Sequence, residues 1–192
     1  MGESIEVRVA GLFVGQFDQV RSVSADRLEF DYDGIVGDRH YGPTKKVSVR
    51  DKPLQKVEGG PRMRNNRQYS ALSQEELGEI SRILGYTVTP EAIGANIVFT
   101  GCPQLTLVEW QSVIFFESGV ALRVHRDNWP CRIAGGSVQA DYPDELDRLD
   151  VKFVAAANGR RGIVGWVEHP GFVHIDEVAR IEAMPPVQLP KA

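Results

Sequence analysis

Cys131 is the residue in this sequence with the clearest means to do chemistry. It stands in the segment HRDNWPCRIAGG, residues 125–136, after a predicted strand. Asp127 or Asn128 can cap a short helix there, and Pro130 suits a first-turn position. A cysteine at a helix N-terminus meets the partial positive charge of the helix dipole, which favours the thiolate. Arg126 and Arg132 add positive charge nearby in sequence. A thiolate is both a nucleophile and a ligand for soft metals. The competing reading is a buried cysteine serving as a small apolar residue, and Cys102, in TGCPQL, takes that reading.

Three further segments carry candidate groups. Gly37-Asp38-Arg39-His40-Tyr41-Gly42 combines backbone freedom with an acceptor, a fixed cation and an imidazole. It lacks the GK[ST] ending of a phosphate loop and reads equally as a tight turn held by Asp38. Arg67 and Tyr69 alternate on a predicted strand, so both can face one side. A guanidinium on a rigid strand suits a phosphate or carboxylate, or else an ion pair with one of the chain's acids. Asn96, after Gly94-Ala95, is a turn residue or a polar ligand contact.

Charge is distributed unevenly. The net charge is −4, yet residues 39–67 hold nine basic and two acidic side chains, +7, which leaves −11 elsewhere. A basic segment on an acidic protein suggests a local anion site or a solvated basic loop, and sparse aromatics in it argue against nucleic acid. No metal-binding cluster of Cys and His is spaced in the sequence, and the two cysteines are expected as free thiols. The N-terminal MGESIEVRVAG alternates like a strand and has a glutamate where a secretory leader carries positive charge. A cytoplasmic location and no membrane association are therefore expected.

The elements that must position these groups are short. Residues 5–9 and 27–32 alternate as strands, and residues 95–125 read as several strands with a turn at Ser118-Gly119. Ser73 and Glu76 form a capping box, with Leu72 and Leu77 as its staple, and Gly85 ends that helix. A second helix is predicted from about Pro143 to Ala157, with Leu146, Leu149 and Phe153 as its apolar stripe. Residues 161–182 read as a closing hairpin turning at Pro170-Gly171. Many strands, few helices and no βαβ alternation predict one β-rich domain over 1–192, a closed or partly closed β-barrel. Its core spans about 5–180, with a long basic loop at 43–66 and an irregular tail at 185–192.

In order along the chain these segments resemble a MOSC domain, the module named for the C-terminal part of molybdenum-cofactor sulfurases. Gly37 to Gly42 resembles the family's glycine-rich element. Arg67-Gln68-Tyr69-Ser70 before Leu72-Ser73 resembles its strand into a capped helix. Gly94-Ala95-Asn96-Ile97 resembles its G-E-N-[IL] element, with Ala95 in place of the acid, and Pro130-Cys131-Arg132 resembles its cysteine site. The resemblance implies a β-barrel-like fold and a molybdenum cofactor (molybdopterin). Cys131 would be metal ligand and catalytic group, with Asp38, Arg39, His40, Arg67, Asn96 and Arg132 around the cofactor. It implies reduction of N-hydroxylated or N-oxygenated small molecules, with electrons from a separate donor. The alternatives are a sulfur carrier, with a Cys131 persulfide supplied by a cysteine desulfurase, and a non-enzymatic anion-binding module.

Overall fold

The computed structural model describes residues 4–48, 51–56, 61–145 and 148–183. The predicted tail at 185–192, part of the 43–66 segment and Leu146 lie outside the described residues. The strands are β1 (Ser4–Gly15), β2 (Ser22–Ala25), β3 (Arg27–Asp31), β4 (Gly34–Ile35), β5 (Thr44–Lys46), β6 (Arg62–Arg64) and β7 (Tyr69–Ser73). Then come β8 (Ile97–Thr100), β9 (Val113–Phe116), β10 (Ala121–Asp127), β11 (Ile163–His169), β12 (Gly171–His174) and β13 (Val178–Glu182). The helices are α1 (Gln74–Leu84), α2 (Arg132–Gln139) and α3 (Leu149–Ala156).

Seven strands close a barrel in the order β13-β9-β10-β11-β7-β8-β1, with β13 pairing back onto β1. The closure leaves no open edge among those seven strands, as the predicted barrel requires. Strand alternation divides the side chains between two cores. On β8, Ile97 and Phe99 face the barrel interior and Val98 faces outward; on β7, Tyr69 and Ala71 face inward and Leu72 outward. The outward set packs under the helices with Leu77, Ile80, Val138 and Phe153. Burying Phe153 fully contributes about 2–3 kcal/mol.

The capped helix forms as predicted at its start. Ser73 is the N-cap and its Oγ accepts from Glu76 N at 3.2 Å. The reciprocal half of the box is absent: the Glu76 carboxylate instead accepts from the Thr106 backbone and hydroxyl. α1 also corrects the expectation of no βαβ unit. β7 and β8 pair in parallel, and a parallel pair needs a crossover, which α1 supplies.

Three more expectations change. The second helix starts at Leu149, so Asp144 and Glu145 precede it; Arg148, in left-handed conformation, marks the entry. β11 and β12 do not form a closing hairpin. Gly171, at φ +148°, redirects the chain, and β12 pairs with β3 in a separate sheet. The 43–66 segment is not one plain loop, because β5 and β6 pair as a ribbon and Lys45 bonds Asp51 at 2.7 Å.

Adjacent glycines fix α2 against α3. A Cβ on Gly135 would lie 2.3 Å from the Asp150 carbonyl oxygen, whereas one on Gly136 would meet open space. The two are expected to respond with opposite signs. Gly136→Ala should stabilise by about 0.4–1 kcal/mol through helix propensity. Gly135→Ala should destabilise by about 1–3 kcal/mol through overpacking. Urea unfolding of both variants measures the pair.

Candidate functional site

The candidate site is built on the outer face of the barrel where β7 and β11 pair. Ser70 and Val164 lie opposite each other there, between the inward-facing Tyr69, Ala71 and Ile163. A small hollow of about 30 Å³ reaches this face and is lined by Tyr69, Ser70, Gly94, Asn96 and Val164. Arg39, His40, Arg67, Asn128 and Arg161 line both it and a wider cleft of about 550 Å³. Cys131 lines the wider cleft, beside Trp129, Ile133 and Ala134. Across from them the β1–β2 connection contributes Phe17 to Val20.

Asp38 organises one wall. It is fully buried, and burial alone would raise its proton affinity. Hydrogen bonds from His40 and Gly15 outweigh that effect and hold its carboxyl below the ordinary value. Oδ2 accepts from Gly15 N at 2.6 Å and from Asn96 Nδ2 at 2.7 Å; Oδ1 accepts from His40 N at 2.7 Å. His40 Nδ1 lies 3.3 Å from Oδ1. Gly37, at φ +82°, makes the preceding turn. Asn96 completes the brace, its Oδ1 accepting from Ser70 N at 3.0 Å and Oγ at 3.1 Å.

The cations reach the cleft from three connections. Arg39 bonds the Gln19 carbonyl. Burial draws its guanidinium below the ordinary value, while the charges of Asp38 and Cys131 act the other way. Arg67 bonds Asn128 Oδ1 at 3.1 Å, and Arg161, buried before β11, bonds the Ile93 carbonyl at 2.6 Å. Gly94 permits this crowding, since a Cβ there would lie 2.2 Å from the Val20 carbonyl oxygen and 3.2 Å from Arg39 Nη2.

Cys131 is itself the N-cap of α2, so neither Asp127 nor Asn128 caps it and Pro130 lies just before the cap. Its side chain makes no capping hydrogen bond, and it is partly exposed. The predicted neighbours Arg126 and Arg132 point elsewhere. Arg126 lies over the Trp129 ring at 4.2 Å, and Arg132 pairs with Asp150 at 2.6 Å. Arg132 and Asp38 line neither hollow, the first because of its ion pair and the second because it is buried behind Arg39 and His40. Arg39, His40, Arg67 and Asn96 do line the site. Sequence reasoning missed that Arg161 and Asn128 line the cleft; the basic pair Arg160-Arg161 between a helix stop and a strand was the available signal. Cys102 is buried, and burial pushes its thiol up, as its apolar assignment requires.

The family model of the MOSC domain matches residues 37–180 of this barrel, and the chain belongs to that family. It is similar to the YuaD protein of Bacillus subtilis, 38% identical over 180 residues, 93% of this chain and 92% of that one. The name of that relative carries a provisional assignment to metal-sulfur cluster biosynthesis. The crystal structure of B. subtilis YuaD superposes with a TM-score of 0.90 at 36% identity, covering 96% of this chain and all of that one. YiiM from Escherichia coli shares the fold, with a TM-score of 0.58 at 18% identity over 95% of this chain and 71% of its own.

Asp38→Asn tests the brace. An amide cannot accept on both sides, so its Nδ2 must face Gly15 N–H and Asn96 or else His40 N–H. A loss of about 2 kcal/mol or more at neutral pH is expected. Because the folded-state pKa is depressed, Asp38's contribution is present above the unfolded value and is lost as pH falls through the folded one. The stability gap between wild type and variant should therefore be full at pH 7 and close below about pH 4. Denaturant titrations at several pH values measure it.

Proposed function

We propose that the chain binds the molybdenum cofactor with Cys131 as a metal ligand and reduces N-hydroxylated or N-oxygenated small molecules. The observation that carries this reading is one thiol at a helix N-terminus sharing a cleft with Arg39, His40, Arg67 and Arg161. Among the described residues, no three His, Cys, Asp or Glu side chains gather to hold a bare ion. A single soft donor can instead complete the ligand set of a metal that arrives already chelated by an organic, phosphate-bearing group. The three guanidiniums suit that phosphate, and Gly94 lets the β1–β2 connection and Arg39 close on the wall where they stand. The donor set thus fits the group.

The cofactor would supply two-electron redox chemistry at the sulfur-facing part of the cleft. The chain's own residues do the rest. Cys131 holds the metal, with the helix dipole and Arg39 favouring its anionic form. Arg39, Arg67 and Arg161 neutralise and orient the phosphate. His40, its Nδ1 toward Asp38, is placed to deliver a proton through Nε2. Converting N–OH to N–H takes two electrons and two protons and releases water; the electrons come from a separate donor protein.

Cys131→Ser is the direct test. Serine is a better N-cap than cysteine, so stability should hold or rise by up to about 1 kcal/mol. Bound molybdenum, read by elemental analysis with pterin fluorescence after oxidation, should fall to background together with amidoxime reduction. Equal molybdenum content in the variant removes the assigned role.

A second reading, sulfur carriage through a Cys131 persulfide, is favoured by the cluster-biosynthesis name of the YuaD relative. Its mark is a Cys131 adduct of about 32 Da, one sulfur atom, after incubation with a cysteine desulfurase and cysteine, without bound metal.

A further inference from the structure

Of the three guanidiniums in the cleft, Arg39 follows the braced Asp38. Arg67 and Arg161 are both held through one residue, Gly162. It follows Arg161, is buried, and has φ +72°. A Cβ there would lie 1.9 Å from the Ala71 carbonyl oxygen, so only glycine fits. Glycine has the freest backbone, and its orientation must be imposed by its partners. Two hydrogen bonds do this. The Gly162 N–H donates to Thr106 Oγ1 at 2.7 Å, and the Gly162 carbonyl accepts from Asn128 N at 2.8 Å. That N–H lies in one plane with the Arg161 carbonyl, so the first bond sets the peptide from which Arg161 projects. The second sets Asn128, whose Oδ1 accepts from Arg67 at 3.1 Å.

Thr106 acts on this peptide without lining the cleft. It is buried between β8 and β9, and the hollow it lines is a separate one, shared with Leu107, Trp110 and Asp127. Its hydroxyl has one proton and must present a lone pair to Gly162. Glu76, on α1, supplies the reason that it does. The Glu76 carboxylate accepts from the Thr106 hydroxyl at 2.9 Å and from Thr106 N at 3.1 Å. A carboxylate can only accept, so the hydroxyl proton is drawn to Glu76 and the lone pairs are left toward Gly162. A hydroxyl that donates to an anion is also the better acceptor. Burial pushes the Glu76 carboxyl up, while the Thr106 bonds and the charge of Arg160 act the other way. A buried carboxylate is costly to keep. The helix gains no cap from it, because Ser73 alone caps α1.

We propose that Thr106 and Glu76 are positioning residues of the anion site: through Gly162 they fix Arg161, and Arg67 by way of Asn128, and so set the affinity of the cleft for a phosphate group. The inference rests on the reading above, in which those guanidiniums take the cofactor phosphate. Three roles for Glu76 predict three different results when its charge is removed. A role in folding alone lowers stability and leaves anion affinity unchanged. A role through charge alone tightens the anion, since a negative group leaves the protein. Positioning loosens it, because the hydroxyl of Thr106 is no longer held in the sense that Gly162 needs.

The probe is inorganic phosphate, titrated calorimetrically into the metal-free protein at about pH 8, above the ordinary range of carboxyl groups. Folding of each variant is checked by circular dichroism. Arg67→Gln locates the ligand and should lose most of the binding. Thr106→Val keeps the shape and drops the hydroxyl; phosphate should bind about fivefold more weakly or worse. Thr106→Ser restores the hydroxyl and should bind within about twofold of wild type. In Glu76→Gln the amide nitrogen meets the hydroxyl as a donor and turns its proton toward Gly162; binding should weaken about threefold or more. Equal affinity in wild type, Thr106→Val and Glu76→Gln overturns the inference. So does tighter binding by Glu76→Gln, or a Thr106→Ser as weak as Thr106→Val. Should neither Thr106→Val nor Glu76→Gln fold, wild type decides: saturating phosphate should slow hydrogen exchange of the Gly162 amide about threefold or more, and unchanged exchange overturns the inference. A wild type that binds no phosphate, or binds it equally after Arg67→Gln, instead sinks the phosphate reading and the inference with it.

Discussion

The buried carboxylate of Asp38 is the constraint on which the rest of the site depends. It joins three pieces of chain far apart in sequence: Gly15 at the end of β1, His40 in the glycine-rich turn, and Asn96 before β8. A buried carboxylate is tolerable only when its lone pairs are met, and here backbone and amide donors meet them. The consequence is directional. With Asp38 locked, Arg39 and His40 on the following positions have little choice but to face the cleft. Asn96 extends the lock to Ser70, which lies in the strand pair that forms the floor. The cationic wall is therefore a product of one buried network, and its side chains are presented ready for an anion.

Much of the fold was legible because it follows from local patterns. Alternation along the first half of β1 and along β3 reports which side chains are buried, and the apolar runs at β8 and β9 mark strands buried on both faces. The Ser73 cap and the Gly85 stop mark α1 to the residue. What could not be read depends on distant partners. The parallel pairing of β7 with β8 is set by α1 packing beneath outward-facing Leu72 and Val98, not by either strand's own pattern. The transfer of β12 to another sheet turns on the backbone of Gly171 and on β3 waiting to pair with it. Glu76 satisfied the sequence rule for a capping box, yet Thr106, thirty residues away, offered two donors and won.

The site divides along the same line. Residues whose role rests on short-range geometry were legible: Cys131 beside a helix start, and Arg39 and His40 in a glycine-flanked turn. Charge near in sequence was a poor guide to charge near in space. Arg126 and Arg132 flank Cys131 in sequence but one stacks on Trp129 and the other pairs with Asp150. The positive environment comes from Arg39, Arg67 and Arg161, which only the folded barrel assembles. Lys45 and Lys46 sit on β5 and Arg62 and Arg64 on β6, and among the described residues of the segment it is the two cations at its ends, Arg39 and Arg67, that line the cleft.

The placement of Cys131 differs from that of Cys102. At an N-cap, Ser, Thr, Asp or Asn would stabilise the helix by bonding its orphan amides, and cysteine does so poorly. Here the cap's side chain makes no such bond, so the position forgoes a common source of helix stability. Cys131 is partly exposed and packs in part against the core under the helices, whereas Cys102 is buried. Its N-cap place adds an electrostatic effect that Cys102 lacks. An N-cap sulfur stands where the helix amide dipoles converge, and it lines a cleft that holds three guanidiniums and one carboxylate, Asp18. α3 holds that place from behind, through the contact that only a glycine at 135 permits. A helix of eight residues has little stability of its own, so the position of the sulfur is inherited from α3 and the barrel.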